Sequence, residues 1–218
     1  MLEIVPTATI REIVQSIDEV SSHDRDEMAI PSYLHANSLI RWLMWKRLET
    51  VLELAEIRPG DSVLDFGCGI GLMLPSLAKA GAKVYGVDVF PQFARRLVYK
   101  MNLPAEVMES LDGLADGSLD VILATDVLEH VDDPATLARV FKKKLKPGGR
   151  LILCGPTENF VYRIGRFVAG FSGKEHYHHT DVYRLFGDMT SAGFKADTER
   201  KLPFALPPHL FKIFRFQA

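Results

Sequence analysis

The stretch Val63-Leu64-Asp65-Phe66-Gly67-Cys68-Gly69-Ile70-Gly71, followed by Val84-Tyr85-Gly86-Val87-Asp88, decides the fold. Its order is apolar strand, glycine loop, helix, apolar strand, acidic end. A β-carbon in that loop would hold a ligand away from the backbone. Gly67, Gly69 and Gly71 let the chain turn sharply and expose amide hydrogens. Asp65 stands at the carboxyl end of the first strand, where open α/β sheets bind ligands. Its carboxylate is suited to accept hydrogen bonds from a ligand ammonium, directly or through water. The interval from Gly71 to Asp88 accommodates one helix, about Leu72 to Ala80, and a second strand. Asp88 at the end of that strand suits a bidentate grip on a ribose diol. Glycines alone are compatible with an ordinary tight turn; Asp88 at this spacing makes the segment a nucleotide-type pocket.

The pattern extends outward on both sides. Pro59-Gly60-Asp61 turns the chain into strand one, Ser62 to Phe66. Strand two is Lys83 to Asp88, then Pro91 and a helix from Gln92 to Met101. Strand three is Ala105 to Met108 and strand four Leu119 to Ala124. Asp132-Asp133-Pro134 reads as cap and proline start of a helix running to Leu145. Leu137, Val140, Phe141 and Leu145 give that helix its sheet-facing side. Pro147-Gly148-Gly149 turns into strand five, Arg150 to Cys154. Strands alternating with helices predict a mostly parallel sheet. Upstream, Ile10, Ile13, Val14 and Ile17 have helical spacing within Thr9 to Val20, and Pro31 interrupts any long helix. A second helix is predicted from Ala36 to Glu56. These helices are expected to cover the ligand edge, with Tyr33, His35, Arg41, Trp42 and Trp45 as candidate wall residues. The two tryptophans read better as packing or interface residues.

The chain resembles a class I S-adenosylmethionine-dependent methyltransferase, in the broad group that includes the quinone-biosynthesis C- and O-methyltransferases. Four segments carry the resemblance: Asp65-x-Gly67-x-Gly69-x-Gly71; Asp88; Leu119 to Val131, ending Asp126-Val127-Leu128-Glu129-His130-Val131; and Val140 to Leu151, with Leu145-Lys146-Pro147-Gly148-Gly149-Arg150. They span roughly residues 60 to 155. The resemblance implies an α/β, Rossmann-like, seven-stranded doubly wound sheet. The sheet is mostly parallel with an antiparallel last strand, plus N-terminal helices and a lid insertion. Phe194 to Lys201 and Leu210 to Phe216 fit the final strand pair. One domain over 1–218 is expected. It divides into a helical cap (1–58), a donor-binding core (59–155), an acceptor lid and helix (156–193) and final strands (194–218). S-adenosyl-L-methionine is the implied cofactor. Its implied contacts are Asp65, Gly67, Cys68, Gly69, Gly71, Asp88, Val89, Glu109, Ser110, Ala124 and Thr125. Glu109 matches a turn that is acidic in the family and lies near adenine, with Asp112 as a fallback; without the resemblance it is a polar loop residue. Ala124 and Thr125 are expected beside the methionine part.

Candidate catalytic groups are His130 and His178. Histidine can serve as a general base near neutral pH, and His130 can equally fix its loop. Asp126 and His130, four apart, would share a face of a helical turn. The segment from Phe160 to Phe171 is apolar, aromatic and basic, and reads as a lid helix or a membrane-surface contact. Glu175-His176-Tyr177-His178-His179 lacks a cysteine partner, and no metal is expected. The sequence offers Tyr177 and His178 for an acceptor and His176 or His179 for support of the lid, without separating these assignments. Thr180 or Asp181 caps the helix that follows.

Composition narrows the alternatives. The chain has 218 residues, 47% of them hydrophobic, and a formal charge of −2. Bulk electrostatics therefore give a nucleic-acid partner no support. Arg139, Lys142, Lys143, Lys144 and Lys146 read as a solvated helix face near a helix C-terminus. Two cysteines, Cys68 and Cys154, offer no disulfide framework. The start is interrupted by acidic and polar residues and does not read as a signal peptide. A cytoplasmic protein is expected, with peripheral membrane contact and a homodimer kept open. The expected function is methyl transfer to a small or lipophilic acceptor by direct displacement. A noncatalytic S-adenosylmethionine-binding regulator and a NAD-dependent oxidoreductase are the alternatives.

Overall fold

The computed structural model describes residues 1–17, 30–160, 162, 180–204 and 207–218. Seven strands form one sheet: β1 (Ser62–Phe66), β2 (Lys83–Val87), β3 (Ala105–Met108), β4 (Leu119–Thr125), β5 (Leu145–Pro156), β6 (Lys195–Leu202) and β7 (Phe211–Gln217). Their order is β3-β2-β1-β4-β5-β7-β6. The first five pair in parallel, and β7 runs antiparallel to both β5 and β6. The order reverses direction between β1 and β4, which opens a crevice at their carboxyl ends. The described helices are α1 (Thr7–Gln15), α2 (Ile30–Leu34), α3 (Ser38–Ala55), α4 (Leu74–Lys79), α5 (Gln92–Met101), α6 (Pro134–Lys144) and α7 (Val182–Ser191).

A period of two sorts the strand residues into two cores. Val63, Val121, Leu123, Ile152 and Cys154 join α1 to α5 on one face. Leu64, Ile122, Ala124, Leu151 and Leu153 join α6 and α7 on the other. The central strands are apolar on both sides because helices cover both faces. Asp65 breaks that run, and its position in the alternation puts it with Val63 on the side of α3.

Caps define the helices as the sequence suggests. The Asp133 side chain accepts from the Thr136 amide at 2.9 Å, ahead of Pro134, at the start of α6. The Asp181 side chain accepts from the Tyr183 and Arg184 amides at 3.0 Å. Pro31 falls in the first turn of α2, so it starts a helix where the sequence suggested an interruption. Helix α1 begins two residues earlier than expected and closes at Ser16, whose amide donates to the Glu12 and Ile13 carbonyls. Strand β5 begins at Leu145, ahead of the expected Arg150. Leu119 pairs with Leu145 and Val121 with Arg150, so Lys146 to Gly149 bulge opposite Asp120. Trp45 packs edge-on to Tyr33 at 5.2 Å, whereas Trp42 stays about half exposed.

The basic run is largely used up locally. Lys142 donates to the Gly193 carbonyl at 2.5 Å, Lys144 to that of Leu114 at 2.5 Å, and Lys146 meets Asp120 at 2.6 Å. The outer strand β6 is mostly exposed and charged, with Asp197 paired to Arg215 and Glu199 to Lys212, each at 2.7 Å. Among the described residues no helix is long and apolar enough to cross a membrane.

Arg150 ties the sheet to α3. Its Nε donates to the Ala55 carbonyl at 3.0 Å and its Nη2 meets Asp61 at 3.0 Å, both largely out of solvent. Arg150→Met should lower unfolding free energy in urea by about 1–3 kcal/mol, since the helix-end carbonyl and Asp61 lose a charged partner.

Candidate functional site

A cavity of about 170 Å³ lies at the carboxyl ends of β1, β2 and β4. Its floor is the glycine loop. Gly67 and Gly71 adopt positive φ, +70° and +85°. A β-carbon on Gly67 would stand 2.2 Å from a Val127 methyl, so the loop and the segment after β4 close together only over glycine. Gly71 contributes differently. Its missing β-carbon admits Leu74 and Ala94, packing the start of α4 against α5.

Two buried carboxylates face this loop. Asp88 accepts from the Gly69 amide at 2.7 Å and from the Phe90 amide at 2.9 Å. Burial raises its pKa, and those amides offset part of the rise. Asp65, 3% exposed, is pushed up to about 7, first by burial and then by the Asp88 charge. Cys68 lines the same wall. Its sulfur lies where a β-carbon on Gly86 would come within 3.0 Å, and burial holds its thiol well above the usual range. It is a packing group rather than a nucleophile.

The opposite wall comes from α2, α3 and the residues after β4. Arg47, 3% exposed, forms an ion pair with Asp126. Its Nη2 donates to the Tyr33 hydroxyl at 3.3 Å, and its guanidinium lies 4.7 Å from the centre of the Phe211 ring. Burial alone would lower the Arg47 pKa, but Asp126 and Tyr33 more than compensate and raise it. The guanidinium is therefore a fixed positive charge. Asp126 adopts a left-handed conformation, φ +50°. Two further buried donors, Arg47 Nε and the Thr125 hydroxyl, have no hydrogen-bond partner among the described residues. Orphan donors at a cavity are what an absent ligand would satisfy.

Of the residues singled out from sequence, Tyr33, Asp65, Gly67, Cys68, Gly69, Asp88, Val89, Thr125, Asp126 and His130 line the cavity, whereas the wall candidates His35, Arg41, Trp42 and Trp45 do not. Nor do four donor candidates. Gly71 lies beneath, as described. Ala124 is fully buried on the opposite face of the sheet. Glu109 is turned to Arg95 of α5, at 3.5 Å across solvent, and Ser110 caps the short turn Leu111–Gly113 through the Asp112 amide. His178 lies outside the described residues, as do His176, Tyr177, His179 and most of the Phe160–Phe171 segment. Asp126 and His130 both reach the lining, but the turn between them is 3₁₀. Glu129 instead points inward; burial, then the nearby Asp126 charge, raises its pKa. Arg47, Leu48, Ile70, Leu72, Met73, Phe90 and Val127 line the cavity without having been singled out. Arg47 had a signal: it is a charge inside the apolar stripe Met44, Leu48, Val51 of α3. Among the described residues no group of three or more His, Cys, Asp or Glu is placed to hold a metal ion.

A doubly wound sheet with a reversed β7 and this two-carboxylate cavity at its switch point defines a class I methyltransferase architecture. The chain belongs to the methyltransferase-domain family, whose model matches residues 33–199. It is 36% identical over 127 residues to a ubiquinone biosynthesis O-methyltransferase from Xanthomonas euvesicatoria, covering 55% of this chain and 50% of that protein. The chain spans a third to a half of the length of the curated relatives it matches. Its fold is similar to a SAM-dependent methyltransferase from Aquifex aeolicus, with TM-score 0.62, 19% identity and coverage of 96% and 98% of the two chains. It is also similar to the magnesium protoporphyrin IX methyltransferase of Synechocystis PCC 6803, solved with bound SAH. There the TM-score is 0.66 and the identity 20%, over 95% and 99% of the two chains.

Asp65 should titrate near pH 7 in the ligand-free protein, followed by carboxyl chemical shifts. Asp88→Asn should move that midpoint down, because one of its two causes is removed.

Proposed function

We propose that this protein transfers a methyl group from S-adenosylmethionine to a small or lipophilic acceptor. The carrying observation is the charge layout of one cavity: buried carboxylates on the glycine-loop side and a buried, permanently charged guanidinium on the other. The amino-acid end of the donor needs both signs of charge. Asp65 faces the ammonium, while Arg47 Nε and the Thr125 hydroxyl face the carboxylate. Asp88 keeps a lone pair on each oxygen beyond its two amide bonds, and these accept from the ribose hydroxyls. Val89 and Phe90 supply apolar surface for the adenine. When bound, the sulfonium supplies an electrophilic methyl group and a good leaving group. The protein's part is alignment and exclusion of water, with His130 on the lining to take a proton from the acceptor.

A lipophilic acceptor is supported by the exposed Phe160 and Phe204, which follow β5 and β6 at the same edge of the sheet as the cavity. The same side chains suit contact with a lipid surface. Family membership leaves the oxidoreductase alternative without support. A regulatory donor-binding role is separated by one test: methyl release has to depend on added acceptor.

Calorimetry with S-adenosylhomocysteine checks the donor site. The ligand ammonium requires ionised Asp65, whose pKa is about 7. Affinity should therefore fall roughly tenfold per unit as pH drops below 7 and level off above it. Asp65→Asn should weaken binding about 10- to 100-fold and flatten that dependence, the loss of one charged hydrogen bond. Asp88→Ala should weaken binding at least tenfold, and should also lower the unfolding midpoint because the Gly69 and Phe90 amides lose their acceptor. Unchanged affinity in both variants would overturn the assignment.

A further inference from the structure

The donor reading leaves one polar group of the cavity without a task, the Tyr33 hydroxyl. Tyr33 is 5% exposed and lines the cavity from α2. Its position is fixed twice. The ring packs edge-on against Trp45 at 5.2 Å, and the oxygen accepts from Arg47 Nη2 at 3.3 Å. Arg47 cannot turn away, because Asp126 and the Phe211 ring hold it. A phenol oxygen that accepts from a guanidinium is poor at accepting a second bond and good at donating its own proton. Burial also keeps Tyr33 protonated, with the phenol pKa raised. Tyr33 and His130 line the same cavity, so a phenol whose oxygen already accepts from Arg47 and an imidazole share one site.

We propose that Tyr33 is a catalytic residue that donates a hydrogen bond to the reacting atom of the acceptor, and that the site thereby selects an oxygen nucleophile over an amine. The proposal rests on the donor reading above. Elementary valence makes the distinction. An amine nitrogen has one lone pair, which must attack the methyl carbon, so it has nothing to offer Tyr33. A hydroxyl oxygen has two: one attacks, the other accepts the Tyr33 proton. In the balanced step a carbon–oxygen bond forms while the carbon–sulfur bond breaks. The bonding pair stays on sulfur and yields the neutral thioether. The acceptor's hydroxyl proton passes to the His130 imidazole. Tyr33 keeps its own proton throughout, and its hydrogen bond fixes the direction from which the oxygen approaches.

The test uses the full chain with S-adenosylmethionine as donor, and 4-butylphenol and 4-butylaniline as matched probes. Wild type should methylate the phenol at least fivefold faster than the aniline. Tyr33→Phe should remove that preference, with methyl transfer to the phenol falling at least tenfold, while leaving S-adenosylhomocysteine affinity within twofold. Equal methylation of the two probes by wild type, or methylation of neither, overturns the proposal. So does a tenfold loss of S-adenosylhomocysteine affinity in Tyr33→Phe, which would give the hydroxyl to the donor instead. If wild type fails to bind S-adenosylhomocysteine at all, the donor reading falls first, and that outcome is recognised before any acceptor is added.

Discussion

The organisation of this molecule turns on a desolvated ion pair, Arg47 with Asp126. Each partner comes from a different part of the chain. Arg47 belongs to the helical cap and Asp126 to the first residue beyond β4. Removing two charges from water costs several kcal/mol per ion, so such a pair is a poor source of net stability. Its value lies in specification. A guanidinium buried in the apolar stripe of α3 has few neighbours able to satisfy it, and Asp126 in its left-handed conformation is one of them. The pairing therefore sets where α3 crosses the sheet edge, and with it the height of the cavity and the placement of Tyr33.

The charges around the cavity also constrain one another. Asp65 and Asp88 end neighbouring parallel strands, so their mutual repulsion is built into the topology. Asp88 is relieved by two backbone amides, whereas Asp65 has burial and a like charge and no comparable compensation. The ligand-free site is accordingly electrostatically incomplete. A cationic group entering beside Asp65 relieves both desolvation and repulsion, which is why the more strained carboxylate is the one assigned to the ammonium.

Much of this was legible in the sequence, for identifiable reasons. The sheet was readable because β1, β4 and β5 are apolar runs bounded by glycine and proline turns, and because Asp133 and Asp181 announce their helices. Half of the site was readable because its residues follow strand ends, where position in the chain fixes position in space. Glu109 stands beside Arg95, fourteen residues earlier, a neighbour across the fold that the sequence does not announce. Tyr33 was named only as a general wall residue, and Arg47 not at all. Both act through contacts made across the fold: Tyr33 with Arg47 and Trp45, Arg47 with Asp126 and Phe211. Local periodicity marks Arg47 as anomalous in its helix but cannot say which partner answers it.

The charged outer strand has a consequence for how copies of this protein can meet. β6 leaves one row of backbone donors and acceptors open, the usual template for adding a strand from another molecule. Along it Lys195, Asp197, Glu199, Arg200 and Lys201 follow one another, and Asp197 and Glu199 are already engaged with β7. A second copy docking strand to strand would have to dehydrate this row and find opposite charges in register. Sheet extension at the β6 edge is thus costly, which leaves β3, at the other end of the sheet, as the edge with the lighter charge load.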